Sequence, residues 1–163
     1  MLTGKTNEEK IWNYLVGKGL SAEGAAGLMG NLYAESGLNP QNLQNTYEKN
    51  LGYTDATYTT AVDNGSYSNF VHDSAGYGLA QWTYWSRKQN LLAFARAAGK
   101  SIGDLDMQLD FLFEELSTGY KSVLSTLKTA TAVRTASDSV LLNFERPANQ
   151  GEAVKIKRAG YGQ

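Results

Sequence analysis

Glu35 occupies a position where a carboxyl group could act as an acid. On a helix, its side chain shares one face with Ala25, Leu28 and Leu32, which precede it at intervals of three and four residues. Gly37 indicates that this helix ends just beyond the glutamate. Partial burial raises the pKa of a carboxyl there, and the negative end of the helix dipole raises it further. A carboxylic acid that stays protonated near neutral pH is the group that a glycosidic leaving oxygen requires.

The pattern around Glu35 also has a plain structural explanation. A glutamate in a last helical turn can point to solvent or pair with an arginine, and the face geometry alone slightly favours that alternative. Gly24, Gly27 and Gly30 recur at every third position of the same segment. They lower helix stability but let a neighbouring backbone approach closely, so we expect this helix to be buried on more than one side.

Composition excludes several other kinds of chemistry. The 163 residues fit one compact domain, and 15 Lys and Arg against 16 Asp and Glu argue against a basic surface for nucleic acid. The absence of cysteine excludes a thiolate nucleophile and a cysteine-containing zinc site. His72 is the only histidine and reads as a loop residue, since no nucleophile elbow accompanies it. We therefore expect no metal, no cofactor and no nucleic-acid partner.

Membrane and targeting signals are missing from the sequence. The first ten residues are polar and charged, with no apolar segment of the kind that a signal peptide carries. No stretch approaches the roughly 18 apolar residues of a transmembrane helix. The sequence predicts a monomer that does not enter a membrane.

The elements that must position these residues are mainly helices. A capping box at Thr6–Glu9 opens the first helix, and Ser21 caps the helix that carries Glu35. Residues 40–75 form a long polar segment with a possible short helix at Thr54–Val62. Glycine-flanked residues 76–82 predict a short strand or hairpin arm. Apolar periodicity then predicts further helices at 86–98, 102–116, 120–127, 131–144 and 151–158.

Three segments together resemble the phage tail lysozymes, a family related to goose-type lysozymes and lytic transglycosylases. They are Gly30–Pro40 around Glu35, Gly76–Thr83, and Phe144–Ala148 near the C-terminal end. They stand in the family's order and cover nearly the whole chain. The resemblance implies a mainly α (α+β) lysozyme-like fold over residues 1–163, in which a helical bundle carries a small β-hairpin beside the active-site cleft.

The resemblance also implies roles for single residues. Glu35 matches the catalytic acid, and the strand Gly78–Trp82 would line the cleft floor, where Gly78 lets a sugar approach the backbone. Gln81 would hydrogen-bond the sugar or orient Glu35. Arg87 would orient a carboxylate or contact the peptide stem. Aromatic rings pack against sugar faces, and three are the leading candidates for such contacts: Tyr77, Trp82 and Tyr84.

A second carboxylate would activate water if the enzyme is an inverting hydrolase. The candidates are Asp55, Asp63 and Asp73. Asp73 is the first choice because a turn before Gly76 would place it beside the cleft, although a role as a turn former is equally open. Asp63 precedes Asn-Gly and is typical of a turn, and Asp55 suits the first turn of a helix.

The expected function is that of a muramidase, which cleaves the β-1,4 bond between N-acetylmuramic acid and N-acetylglucosamine in bacterial peptidoglycan. Two alternatives stay open, a lytic transglycosylase acting on the same bond and a glycan-binding tail module without catalysis. We expect the chain to belong to a larger phage tail protein or endolysin. It would act in the virion tail or after release at the bacterial cell wall.

Overall fold

A computed structural model describes residues 4–145 and 151–161, and these are mainly helical. No helix among them is long and apolar enough to span a bilayer. The predicted helices are confirmed with small shifts in their bounds, and the segment of residues 40–75 carries two helices where one had been predicted. In chain order the helices are α1 Asn7–Gly17, α2 Ala22–Ser36, α3 Asn45–Leu51, α4 Asp55–Asn64, α5 Trp85–Ala98, α6 Leu105–Thr118, α7 Lys121–Thr129, α8 Val133–Val140 with a π-helical turn at Leu141–Glu145, and α9 Glu152–Tyr161.

The chain forms two compact units. The first consists of the described residues up to Leu38 and from Leu112 onward, and the second is Asn39–Phe111. The expectation of a single domain over residues 1–163 stays a prediction. The third signature, Phe144–Ala148, runs into residues 146–150, which lie outside the described residues.

In the first unit, local sequence sets the ends of the helices. The Thr6 hydroxyl accepts a hydrogen bond from the Glu9 N–H at the start of α1, which is one half of the predicted capping box; the Glu9 carboxylate accepts from the Lys5 N–H at 2.8 Å instead of the Thr6 N–H. The Ser21 hydroxyl accepts from the Gly24 N–H at the start of α2. Gly37 ends α2 in the left-handed conformation with φ of 63°. Glu35 therefore lies in the last turn of α2, as the sequence predicts.

Helix α2 is the central element of the first unit and packs against α1, α7, α8 and α9. A Cβ at Gly24 would overlap the backbone carbonyl of Leu127, and one at Gly27 would come within 2.6 Å of the Ala136 Cβ. The glycine spacing thus permits the close approach that the sequence predicts. Burial on several sides keeps water from most of the helix, whereas Tyr33 and Ala34 in its last turn are exposed.

The predicted strand or hairpin arm at residues 76–82 is not confirmed. The described residues contain only isolated antiparallel bridges here, Leu43 with Tyr77 and Tyr77 with Trp82. Tyr77 and Trp82 exchange two backbone hydrogen bonds of 3.1 and 2.9 Å and so close a tight loop. Gly78 and Gln81 inside the loop have φ values of 83° and 52°. Left-handed backbone at two positions interrupts the extended conformation that a strand requires.

Candidate active site

The Glu35 side chain is 15 % exposed, and its two oxygens have different surroundings. Oε1 accepts a hydrogen bond from Nη2 of Arg158 at 3.2 Å. Oε2 accepts none from any residue that the structure describes, and it remains in contact with solvent. The carboxyl group is thus held on one side and open on the other.

Burial and Arg158 act on the pKa of Glu35 in opposite directions. Burial raises this pKa and is the stronger effect, whereas the charge and hydrogen bond of Arg158 lower it. The balance is a pKa above the ordinary glutamate value. Glu35 therefore keeps its proton to a higher pH than an exposed glutamate, as a general acid must.

Arg158 is itself held by buried polar groups. Its Nη1 donates to Oδ1 of Asn31 at 3.2 Å. The Asn31 amide in turn donates to the backbone carbonyl of Gly27 at 3.0 Å and to the carbonyl and hydroxyl oxygens of Ser137 at 3.1 and 3.0 Å. A chain of hydrogen bonds therefore connects α2, α8 and α9 around Glu35.

Sequence reasoning missed the contribution of Arg158. The residue belongs to a basic C-terminal stretch, with Lys155 and Lys157, that is typical of cations in the last turn of a helix, yet it is buried. One signal was available, because Asn31 precedes Glu35 by four residues and shares its helix face. Two polar side chains on a buried face need partners from a neighbouring element.

Asp73, the first choice for a second carboxylate, lies in a buried network in the second unit. Its side chain is 1 % exposed. Oδ2 accepts from the hydroxyls of Tyr58 and Tyr67 at 2.6 and 2.8 Å. Oδ1 accepts from Nζ of Lys88 at 2.5 Å and from the Ala75 N–H at 2.9 Å. Two carboxylate oxygens have about four acceptor positions, so four donors leave none to activate a water molecule.

The surroundings of Asp73 support the turn role that the sequence had left open, and we do not retain it as a base. Lys88, whose side chain has no exposed surface, donates also to the Ala75 carbonyl at 2.8 Å and the Tyr58 hydroxyl at 3.3 Å. Burial lowers the pKa of Lys88, and burial together with the Asp73 carboxylate raises the pKa of both Tyr58 and Tyr67. This network fixes the loop before Gly76 to α4 and α5.

The other two aspartate candidates also hold backbone in place. Asp55 lies in the first turn of α4, as predicted, and accepts from the Leu43 N–H at 2.9 Å. Asp63 accepts from the Ile102 N–H at 2.9 Å and from the Ser101 hydroxyl. Each of the three candidate aspartates therefore accepts at least one hydrogen bond from a described residue.

Tyr77 and Trp82, predicted as sugar contacts, are fully buried. The Tyr77 hydroxyl shares a hydrogen bond with Thr59, and the Trp82 ring packs edge-on against Phe111 at 5.4 Å. A Cβ at Gly78 would meet the Gln108 side chain at 2.9 Å, so the space beside this glycine is filled by protein. The three residues belong to the core of the second unit, and we do not retain them as sugar contacts.

Gln81 and Arg87, two further predicted contacts, are partly buried. The Gln81 amide donates to the backbone carbonyls of Asn42 and Gly78 at 2.8 and 3.0 Å. These bonds hold the loop of residues 77–82 together, which is a structural use of the side chain. A sugar contact by Gln81 and a contact of Arg87 with the peptide stem stay predictions.

Tyr84 is the predicted sugar contact that lies on the surface. It is 64 % exposed, and the neighbouring Trp85 is 48 % exposed. Their ring centroids are 6.1 Å apart with an interplanar angle of 36°, and the exposed His72 stacks on Trp85 at 6.3 Å and 27°. We call these three residues the aromatic platform. Sequence reasoning found Tyr84 but not Trp85, whose exposure depends on where α5 begins.

No group of three or more histidine, aspartate or glutamate side chains that could hold a metal ion occurs within residues 4–145 and 151–161.

Glu35 is thus a partly buried carboxyl group with a raised pKa in the last turn of the central helix, an arrangement that suits a general acid. The phage tail lysozyme family model matches residues 6–162, and the chain belongs to that family. The chain is also 26 % identical over 165 residues to morphogenesis protein 1 of Bacillus phage B103. The match covers 95 % of the chain and 38 % of that protein, so the chain spans well under half of the relative's length.

Proposed function

We propose that the chain is a muramidase that cleaves the β-1,4 bond between N-acetylmuramic acid and N-acetylglucosamine, with Glu35 as general acid. The observation that carries the proposal is the state of this carboxyl group. It is mostly buried, its pKa is raised, and one oxygen is open to solvent. Membership of the phage tail lysozyme family supports peptidoglycan as the substrate class.

In the proposed reaction, protonated Glu35 donates its proton to the glycosidic oxygen. The bond from that oxygen to the anomeric carbon breaks, and its electron pair stays on the leaving oxygen. Positive charge develops on the sugar ring, and a water molecule adds to the anomeric carbon and loses a proton. Glu35 is left as a carboxylate and regains its proton from solvent.

One observation favours the lytic transglycosylase as a second candidate. All three aspartates proposed as a water-activating base are engaged by backbone or buried donors. In a transglycosylase no second carboxylate is required. The Glu35 carboxylate takes the proton of the muramic 6-hydroxyl, whose oxygen then closes a 1,6-anhydro ring on the anomeric carbon.

The aromatic platform is the surface that we propose for sugar binding in the second unit. Tyr84 and Trp85 expose ring faces, which pack well against the C–H faces of pyranose rings. Asp73 directly follows His72, and its buried partner Lys88 is three residues after Trp85. This buried pair holds the two sides of the platform in place, so a sugar would meet a preformed surface.

Product analysis tests the proposed function. Purified peptidoglycan is digested with the protein, and the released fragments are identified by mass spectrometry before and after borohydride reduction. Reducing N-acetylmuramic acid ends support the muramidase. Ends with 1,6-anhydro-muramic acid would establish the transglycosylase instead. No released fragments, together with co-sedimentation of the protein with the wall, would identify a glycan-binding module.

A further inference from the structure

We propose that Arg158 is a positioning residue for the acid step, holding Oε1 of Glu35 so that Oε2 is the oxygen that delivers the proton. This rests on the proposed function of Glu35. The acid would then require a side chain from α9 as well as its own helix α2. Arg158 lies outside the three segments that resemble the family's signatures.

The contacts of Arg158 support different roles for Oε1 and Oε2 of Glu35. Arg158 uses Nη2 for Oε1 of Glu35 and Nη1 for Oδ1 of Asn31, both at 3.2 Å. The planar guanidinium is thus held at two points on α2, one helical turn apart. Because its orientation is set by Asn31, it restricts rotation of the carboxyl group that it binds.

The groups that hold Arg158 are buried. The Arg158 side chain is 11 % exposed. Asn31 of α2 is fully buried and donates a hydrogen bond to the Ser137 hydroxyl of α8. A second contact lies close by along α9, where the ring of Tyr161 packs edge-on against Tyr33 of α2 at 4.8 Å. Two points of attachment therefore hold α9 against the end of α2 that carries Glu35.

Arg158 also balances the charge of the acid. It is the one charged side chain in the described structure that shifts the pKa of Glu35, and it lowers that pKa against the stronger effect of burial. After proton transfer, the same guanidinium stabilises the carboxylate that remains. The elements packed against α2 carry other charged side chains, none of which contributes to this shift: Glu8, Glu9 and Lys10 on α1, Lys121 and Lys128 on α7, Arg134 and Asp138 on α8, and Glu152, Lys155 and Lys157 on α9.

Arg158→Gln tests the proposal, with Arg134→Gln as the matched control. Arg134 pairs with Asp138 of α8 and Glu152 of α9, so the control removes an equal charge that also attaches α9, without touching Glu35. The carboxyl carbon of Glu35 is titrated by NMR, and kcat and KM are measured across pH. Arg158→Gln should raise the pKa of Glu35 and therefore move the alkaline limb of the pH–rate profile to higher pH. It should also lower kcat roughly 10- to 100-fold with KM little changed. Arg134→Gln should change none of these.

Arg158→Lys keeps the charge but loses the two-point geometry, and it provides a second test if the glutamine variant does not fold. It should leave the alkaline limb near its original place while still lowering kcat. An unchanged titration of Glu35 and unchanged kcat in either folded variant would overturn the proposal. Loss of activity in Glu35→Gln alongside normal Arg158 variants would sink only this inference. Retained activity in Glu35→Gln would instead remove the proposed function.

Discussion

Two carboxyl groups that sequence reasoning had assigned to one mechanism lie in opposite surroundings. Glu35 has one hydrogen-bond donor, a raised pKa and an open oxygen. Asp73 has four donors and 1 % exposure. The first arrangement leaves a proton available for transfer, and the second uses every acceptor position to hold structure. Chemistry at the residue scale therefore points to Glu35 alone.

The raised pKa of Glu35 predicts where activity declines with pH. The acid acts in its protonated form, so kcat/KM falls as pH rises through the Glu35 pKa. Burial raises this pKa, so the alkaline limb should lie above the ordinary glutamate value of about 4.3. The measurement is the initial rate of lysis at low substrate concentration in buffers of constant ionic strength. An alkaline limb at or below the ordinary value would contradict the assignment.

Asp73 gives a second prediction at this scale. Asp73→Asn removes the partner of buried Lys88 and should lower the free energy of unfolding by about 3–5 kcal/mol. The folded fraction should keep kcat within about tenfold of the parent. Urea denaturation and active-fraction kinetics measure the two quantities. The exposed Glu114→Gln in α6 is the control and should shift the unfolding free energy by no more than about 0.5 kcal/mol. A stable Asp73→Asn protein without activity would restore Asp73 as a catalytic candidate.

At the scale of elements, helices were predictable and long-range partners were not. Thr6, Ser21 and Gly37 mark helix ends through contacts with residues at most four positions away, so the bounds of α1 and α2 follow from local sequence. Arg158 lies 123 residues from Glu35, and no local pattern could assign that pair. Asn31 shares the helix face of Glu35 and was a local signal, but its partner Arg158 lies 127 residues away.

Two predictions were made for residues 77–82, a strand and a sugar-binding surface. The backbone conformation explains the first outcome, and tertiary packing explains the second. Gln81 adopts positive φ, which is uncommon for a residue other than glycine and is not readable from its identity. Burial of Tyr77 and Trp82 depends on packing partners such as Phe111. The aromatic residues of the segment Gly76–Thr83 therefore suggested a ligand surface, but Tyr77 and Trp82 are part of the buried core.

At the scale of the whole molecule, the family match defines a member of the phage tail lysozyme family. The match of residues 6–162 covers nearly the entire chain, so the family assignment does not depend on any single motif. The net charge of −1 gives no general attraction to an anionic polymer. The proposed binding of peptidoglycan would therefore come from specific contacts, for which the aromatic platform is the candidate.

The aromatic platform predicts a change in substrate binding rather than in chemistry. Trp85→Ala removes a ring that is 48 % exposed and should raise KM about 2- to 10-fold while kcat changes little. Ile156→Ala removes an exposed apolar side chain from the first unit and serves as the control. Binding of N-acetylglucosamine oligomers, followed by calorimetry, should weaken by the same factor only in Trp85→Ala. Equal binding by the two variants would exclude the platform as a sugar site.

The lytic activity of Glu35→Gln tests the central claim most directly. The amide has nearly the shape of the acid but carries no transferable proton, so wall lysis should fall at least about 100-fold at every pH. Glu114→Gln makes the same substitution at an exposed position of α6 and should keep full activity. Circular dichroism and co-sedimentation with walls would show that both variants fold and bind. A folded Glu35→Gln protein that lyses walls at the parent rate would contradict the assignment of Glu35 as the general acid.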